Sequence, residues 1–365
     1  MIKYLQIDYM GRRKLWFAIS GTVVLIGLVS LATRGLNLGI DFRGGVQITF
    51  KTTQFTPLST VRNQMKLIGH EKDAVVQGRG VSKSGEDYKS FQIRLKKLTT
   101  TEQDKLNNAL QNNVHAVSQN IKNVSSSFGK QIARSAVIAV IFSLLIITLY
   151  IALRFHGLAF ALPVIIALIH DIVVTVGVYS LTGREVTEST VAAVLTVLGY
   201  SIYDTIIIFD RIRENIPIMR RASFATITNV SLWETIRRSL ATTFITLLPV
   251  GALFFFGGST LQDFAFALLV GVTSGAYSSI FIAAPLLTIW KEREPEFARR
   301  KDNTSIEGSV AARLLRQAEV AAADEPTPAT PVDVVEAVVG EAADSDAKRE
   351  RRRQRRKARP HGRAR

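Results

Sequence analysis

Six stretches of this chain are uncharged or nearly so and long enough to cross a lipid bilayer: residues 15–32, 135–153, 158–181, 189–209, 239–256 and 264–290. A hydrocarbon core about 30 Å thick takes roughly 20 mostly apolar residues per helix, within a range of about 17–25. No water is available there to satisfy a broken backbone, so such stretches cross as helices. The first, second, fifth and sixth contain no charge at all. The 47% hydrophobic content, ordinary for a soluble chain, is thus concentrated in blocks. The pattern predicts a polytopic α-helical membrane protein with six transmembrane helices. Its parts are an N-terminus (1–14), a first helix (15–32), a polar insert (33–131), a five-helix region (132–290) and a polar tail (291–365).

Charge orients the bundle. Lys and Arg near the ends of spans collect on the cytoplasmic side. Lys3, Arg12, Arg13 and Lys14 precede the first span, and Arg154 lies between the second and third. Arg211, Arg213, Arg220, Arg221, Arg237 and Arg238 lie between the fourth and fifth, and Lys291 and Arg293 follow the sixth. The opposite loops, 182–188 and 257–263, hold one Arg between them. Both termini are therefore expected in the cytoplasm and the insert outside. Ser30-Leu31-Ala32 has the shape of a signal-peptidase site, but an apolar core of 18 residues exceeds the ~7–15 of a signal peptide, so an uncleaved anchor is expected.

The net charge of +16 suggests a nucleic-acid binder until it is located. Residues 348–365 carry eleven Lys/Arg and one Glu, following an acidic, Pro-containing stretch at 319–346. Such blocks cannot bury a core and are expected to be disordered. Attraction to anionic lipid is the plainer reading of the basic block, and contact with ribosomes or nucleic acid the more speculative one. The chain has no cysteine, which excludes disulfides and thiolate chemistry.

The insert reads as a small α/β domain. Val46, Ile48 and Phe50 alternate with polar residues, as do Phe91, Ile93 and Leu95, which predicts two half-buried strands. Residues 74–76 are a candidate for a short third strand. Val61, Met65 and Ile68 share a helical face that stops at Gly69. Thr101 and Asp104 suggest a capping box, followed by a helical stripe of Leu106, Leu110, Val114, Val117 and Ile121. The order β-α-β-β-α suggests a ferredoxin-like sandwich.

Ionisable groups within the spans carry the chemistry. Asp204 lies in the fourth span, flanked by Ser201 and Thr205 with Tyr200 one turn earlier, and His170 and Asp171 lie near the centre of the third. Arg238 enters the fifth. A carboxylate at bilayer depth costs about 2.5–3.5 kcal/mol on insertion scales, and such groups mark ion or proton routes. The plainer readings are an interhelical hydrogen bond for Asp204, a satisfied polar contact for His170–Asp171, and one more positive-inside anchor for Arg238. No nucleophile triad, phosphate loop or metal pattern is present, and "GIDFRGG" precedes a strand rather than opening a helix. Neither an enzyme activity nor a bound cofactor is expected; protons are the expected coupling ion.

"GYSIYDTIIIFDRIREN" (199–215) resembles the fourth-span signature of the SecF family, membrane subunits of the bacterial Sec translocase. "GIDFRGG" (39–45), "LIHDIVVTVGVYSL" (168–181) and "FFFGGSTLQDFAFALLVGVTSGAYSSIF" (254–281) agree, covering residues 1 to about 292. The matching signature positions include Gly199, Tyr200, Ser201, Thr205, Asp210 and Arg211, together with Gly39, Asp41, Gly44 and Gly45. Departures are Tyr203 where the family has Asn, Val46 for Thr and Ala276 for Thr. The resemblance implies a subunit of the cell membrane in the resistance-nodulation-division superfamily, paired with SecD. With it the chain would use the proton motive force to assist preprotein translocation through SecYEG after the SecA-driven stage. It implies Asp204 as proton-relay aspartate and Arg238 as its partner arginine; His170 and Asp171, as ionisable groups within a span, are expected in the same relay. A proton-coupled half-transporter of lipids or small molecules and a non-transducing scaffold are the competing readings. On the charge argument alone, deprotonated Asp204 is expected to pair with Arg238, the nearest permanent cation.

Overall fold

The computed structural model describes residues 7–306, apart from 72, 81, 83, 84, 97, 156 and 258, and omits the side chains of 259 and 260. The acidic and basic segments expected in the tail, 319–346 and 348–365, lie outside the described residues. Six helices among those described are long and apolar enough to cross a membrane. The first is α1 (Arg13–Arg34). It is followed by the two-residue β1 (Asn37–Leu38) and the single-turn α2 (Ile40–Arg43).

The insert continues as β2 (Gly45–Pro57), α3 (Leu58–Gln64), a 3-10 turn (Met65–Ile68), β3 (Val75–Arg79), β4 (Asp87–Leu95), α4 (Thr100–Val114) and β5 (Ala116–Val124). The strand order is β3-β4-β2-β5, with every neighbour antiparallel. That is a complete β-α-β-β-α-β sandwich of the ferredoxin type. One sheet face and the two helices enclose a core of Ile48, Phe50, Val61, Met65, Phe91, Ile93, Leu106 and Leu110.

Two expectations are corrected here. The capping box is built by Thr99 and Glu102, whose Oε2 accepts from the Thr99 amide at 2.8 Å, rather than by Thr101 and Asp104. The helix also ends at Val114. His115 takes a left-handed conformation (φ 53°), and Val117 and Ile121, read as helical, belong to β5. Their spacing of four fits either element, and pairing with β2 decides it: Ile48 faces Ile121 across the sheet.

The remaining spans are α5 (Ser126–Arg154), α6 (Leu158–Thr182), α7 (Glu188–Asn215) and α8 (Phe224–Phe256), with the two-residue β6 (Glu185–Val186) between α6 and α7. The last crossing is α9 (Ser259–Ser278), a π-helical turn (Ser279–Ala283) and α10 (Ala284–Lys291), and a short α11 (Pro295–Ala298) follows. At 33 residues α8 is about 50 Å long, so its N-terminal third lies beyond a 30 Å hydrocarbon core. There Asn229 accepts from the Met10 amide (3.1 Å), and Trp233 donates to the Ile7 carbonyl (2.9 Å), anchoring the segment that leads into α1.

Helix association in lipid depends on close packing and interhelical hydrogen bonds, because lipid tails are as apolar as leucine. α1 and α6 meet at Gly27 and Gly177, where the backbones approach so closely that a Cβ on Gly177 would lie 2.7 Å from the Gly27 Cα. One turn further, Ser30 and Ser180 share a 2.9 Å hydrogen bond. Gly177→Ala is therefore expected to lower stability by about 1–3 kcal/mol through overpacking, against the helix propensity that favours alanine. Gly21→Ala, where an added Cβ meets nothing within 4 Å, should be neutral or stabilising by up to about 1 kcal/mol. Thermal unfolding of the two variants in detergent checks the opposite signs.

Candidate functional site

Three helices converge on one carboxylate. Asp171 of α6 is fully buried. Its Oδ2 accepts from Ser201 Oγ of α7 (2.7 Å) and from Ser278 Oγ of α9 (2.8 Å), and its Oδ1 from Ser274 Oγ of α9 (2.7 Å). Ser274 and Ser278 are four apart and share a helical face. The approach of α7 to that face requires glycine: a Cβ on Gly275 would lie 2.9 Å from the Ser201 Cβ, and one on Gly271 would lie 2.4 Å from Val197 Cγ2. His170 Nδ1 lies 3.1 Å from Oδ1, and its Nε2 lies 3.2 Å from Ser20 Oγ of α1. Among the described residues, no Lys or Arg ion-pairs with Asp171. The carboxylate charge is thus met by neutral hydroxyl dipoles and one imidazole, an arrangement able to hold a proton between His170 and Asp171.

Asp204 lies three residues along α7 from Ser201 and is 1% exposed. Ser239 Oγ of α8 donates to its Oδ2 at 2.6 Å. The expected ion pair with Arg238 is absent: Arg238 Nη2 donates instead to Tyr203 Oη (3.2 Å) on the exposed side of the helix pair. The reason is helical geometry, since consecutive residues diverge by about 100° around the axis. Residues 204 and 239 face each other inside the bundle, while 203 and 238 face each other outside it.

The two carboxylates are linked through α7. Thr205 Oγ1 donates to the Ser201 carbonyl (3.1 Å) and lies 2.8 Å from Ser279 Oγ, at the start of the π-helical turn. π-Helical turns interrupt helices frequently at functional sites, and this one adjoins both Ser278 and Ser279. Tyr200 Oη donates to Thr243 Oγ1 of α8 (3.1 Å).

Other signature residues lie apart from this network. Arg154 Nη2 pairs with Asp210 (3.0 Å), and Arg211 Nε pairs with the buried Glu234 (2.6 Å), both at the end of α7 away from the insert. Nothing within 4 Å would meet a Cβ on Gly199, and no contact explains a glycine there. The hydroxyls of Ser20, Ser239, Ser274, Ser278 and Ser279 were not singled out in the sequence. Their signal was the small-residue spacing of Gly271, Ser274, Gly275 and Ser278.

A second cluster joins the insert to the spans. Arg79 of β3 donates to Asp263 of α9 (2.6 Å) and to Glu185 of β6 (3.0 Å), and Gln92 of β4 also donates to Glu185 (2.7 Å). Arg184 completes the set on Asp263 (3.1 Å), and Arg94 lies 3.4 Å from Glu185. Burial pushes the Arg94 guanidinium below its ordinary value, with Glu185 opposing that shift. β1 and β6 pair in parallel beside this cluster.

The glycine-rich segment 39–45 belongs to the same junction. Asp41 accepts from Lys122 Nζ (2.6 Å) and from the backbone amide of Glu188 (3.2 Å), so it caps the N-terminus of α7. Gly44 has φ +74°, and a Cβ there would lie 2.6 Å from the Ser126 Cα that begins α5. A Cβ on Gly39 would lie 2.6 Å from Glu185 Oε1, and one on Gly45 would lie within 2.4 Å of the Leu95 carbonyl oxygen. Between the polar sheet face and the start of α7 lies a cavity of about 580 Å³ lined by Lys51, Asn120, Glu188 and Ser189, among others.

Six membrane helices around intramembrane carboxylates, with a ferredoxin-like insert held across one end, define a polytopic membrane protein with an α/β domain on its bundle. Residues 103–293 match the family model described as protein export membrane protein SecD/SecF, C-terminal, and residues 29–54 match the SecD/SecF GG motif. The chain is 37% identical to protein translocase subunit SecF of Streptomyces coelicolor, over 90% of each chain. It is also 37% identical to SecF of Mycobacterium tuberculosis, over 87% of this chain and 76% of that one. The crystal structure of SecDF, a translocon-associated membrane protein from Thermus thermophilus, superposes with a TM-score of 0.73 at 34% identity. That match covers 79% of this chain and 39% of the SecDF chain. The chain belongs to the SecD/SecF family.

Two outcomes follow from the geometry. Asp171→Asn places an amide donor among hydroxyls that already donate, and is expected to destabilise by about 1–3 kcal/mol. Asp204→Asn keeps an acceptor for Ser239 and should change stability by less, and thermal unfolding in detergent compares the two. At the junction, Arg79→Gln removes one guanidinium from each of Glu185 and Asp263 while Arg94 and Arg184 stay beside them, and is expected to cost about 1.5–3 kcal/mol locally. Faster amide exchange in β3 and in the α6–α7 connection, with the α1–α6 contact unchanged, would show it.

Proposed function

We propose that this chain is the SecF-type subunit of a bacterial protein translocase, acting in the cytoplasmic membrane beside a six-span SecD-type partner. In this reading the partner and the proton motive force together assist preprotein movement through the SecYEG channel after the SecA-driven stage. The insert lies outside the cytoplasm and both termini inside, in keeping with the basic residues between the fourth and fifth spans. The observation that carries the reading is the division of labour on α7 and α8. Asp204 is buried on Ser239, while Arg238 and the half-exposed Tyr203 stand on the adjoining membrane-facing surface. A permanent cation facing lipid at this depth is costly, and such groups face a bundle interior or a wet cavity. A second helical half covering Tyr203 and Arg238 supplies that interior. The SecDF relative of Thermus thermophilus, of which this chain matches 39%, is a longer chain that leaves room for such a half.

The cycle uses this chain's own groups. With Asp204 protonated, Ser239 suffices as its partner and Arg238 rests on Tyr203. With Asp204 ionised, the Arg238 guanidinium swings across from the neighbouring position and α7 and α8 repack. One charge moved across the membrane supplies about 2.3 kcal/mol per 100 mV, a bias of more than tenfold on a two-state element. Repacking reaches the insert through the linked network of α7 and α9 and the cluster at Glu185 and Asp263.

The test is translocation into sealed vesicles with and without an imposed proton gradient. Asp204→Asn is expected to assemble normally and to lose the gradient-dependent stimulation, by tenfold or more, while ATP-driven export persists. Arg238→Lys is expected to lose more than a charge count suggests, because the ammonium lacks the planar fork. A gradient response equal to the parent's in the Asn variant would favour a non-transducing scaffold.

A further inference from the structure

A second cavity lies at lipid depth, in the half of the membrane nearest the insert. It measures about 410 Å³ and opens between α5, α6 and α7, with walls that include Ala136, Val140, Val176 and Val191 and a roof of Leu38 and Phe42. Along α5 its lining runs from Ala133 to Ile141, about 12 Å at 1.5 Å per residue, close to the depth of one leaflet. The hydroxyls in its wall are already used. Thr175 donates to the Asp171 carbonyl (2.8 Å), Tyr179 to the Asp263 carbonyl (2.7 Å), and Thr190 Oγ1 accepts from the Thr187 amide (3.1 Å). Nothing polar remains inside to recognise a ligand.

The rim differs from the walls. Lys130 lies one turn before Ala133 on α5, Arg134 follows it directly, and Arg43 follows Phe42; all three are exposed. None of them has an ion-pair partner among the described residues. The nearest acid of that segment, Asp41, is taken by Lys122 and the start of α7, and Glu188 lines the separate polar cavity. A dry, leaflet-deep groove with unpaired cations only at its mouth matches an amphiphile with a hydrocarbon tail and an anionic head. A transmembrane helix must run on past the membrane surface, and the roof of Leu38 and Phe42 would stop it; a lipid chain ends at that level.

We propose that this groove is a binding site for an anionic phospholipid of the leaflet on the insert side, its acyl chain against α5, α6 and α7 and its phosphate at Lys130, Arg134 and Arg43. The site holds the first turns of α5 to α6 and α7, where α5 otherwise presents mostly exposed apolar side chains.

The experiment reconstitutes the full chain in nanodiscs of equal phosphatidylglycerol and phosphatidylethanolamine, extracts it into mild detergent, and weighs retained lipid by native mass spectrometry. Retention enriched in phosphatidylglycerol is expected. The double variant Lys130→Gln/Arg134→Gln should reduce that enrichment at least fivefold, since each basic residue near an anionic headgroup is worth about fivefold. Val140→Trp, which fills the groove, should reduce total retained lipid. Both charge substitutions are on exposed side chains, so they decide the matter even if Val140→Trp fails to fold. Absence of retained lipid, equal retention of both headgroups, an unchanged ratio in the double variant, or a polypeptide as the retained occupant would each overturn the proposal.

Discussion

The bundle is organised around one unfavourable act, the burial of the Asp171 carboxylate in hydrocarbon without a permanent cation. An ionised carboxylate accepts about four hydrogen bonds, and Asp171 collects them from Ser201, Ser274, Ser278 and His170. Each hydroxyl reaches it only because its helix is held within a few ångströms, and the glycines at 271 and 275 permit that approach. The packing of α6, α7 and α9 and the polarity at their centre are therefore a single requirement. Removing the carboxylate would leave three serines facing one another in a site shaped for their acceptor.

Asp204 contrasts with this. It has one neutral partner, Ser239, and a cation one residue away that is engaged elsewhere. The structure thus holds a fully hydrogen-bonded carboxylate, Asp171 of α6, beside a sparsely hydrogen-bonded one, Asp204 of α7, which lies three residues from the Ser201 that donates to Asp171.

Much of the architecture was legible in the sequence because membrane crossing is a composition and length constraint. The strands at Val46–Phe50 and Phe91–Leu95 were legible by alternation. β5 was not, because Val117 and Ile121 satisfy a helical period as well as a strand, and the helix stops at a His without the glycine that usually marks such an end. Within the spans, Asp171 and Asp204 announced themselves as charges in apolar runs. Their serine partners did not, since a hydroxyl in a transmembrane helix is common and bonds its own backbone as readily as a neighbour, as Thr242 does to Arg238. The pairing of Arg238 failed by one residue, a distinction that depends on helix phase. The cluster of Arg79, Glu185 and Asp263 was invisible because its members come from three distant segments, each an ordinary loop or edge charge.

The π-helical turn at Ser279–Ala283 also bears on how this protein tolerates change in length. In a continuous α-helix a one-residue insertion or deletion swings every later side chain about 100° around the axis, and a crossing packed on both sides has no means of absorbing it. A π turn is a surplus residue already accommodated, so shortening the last crossing by one residue there would yield an unbroken helix with its ends in place. Among the described crossings, this is the one that carries such a turn.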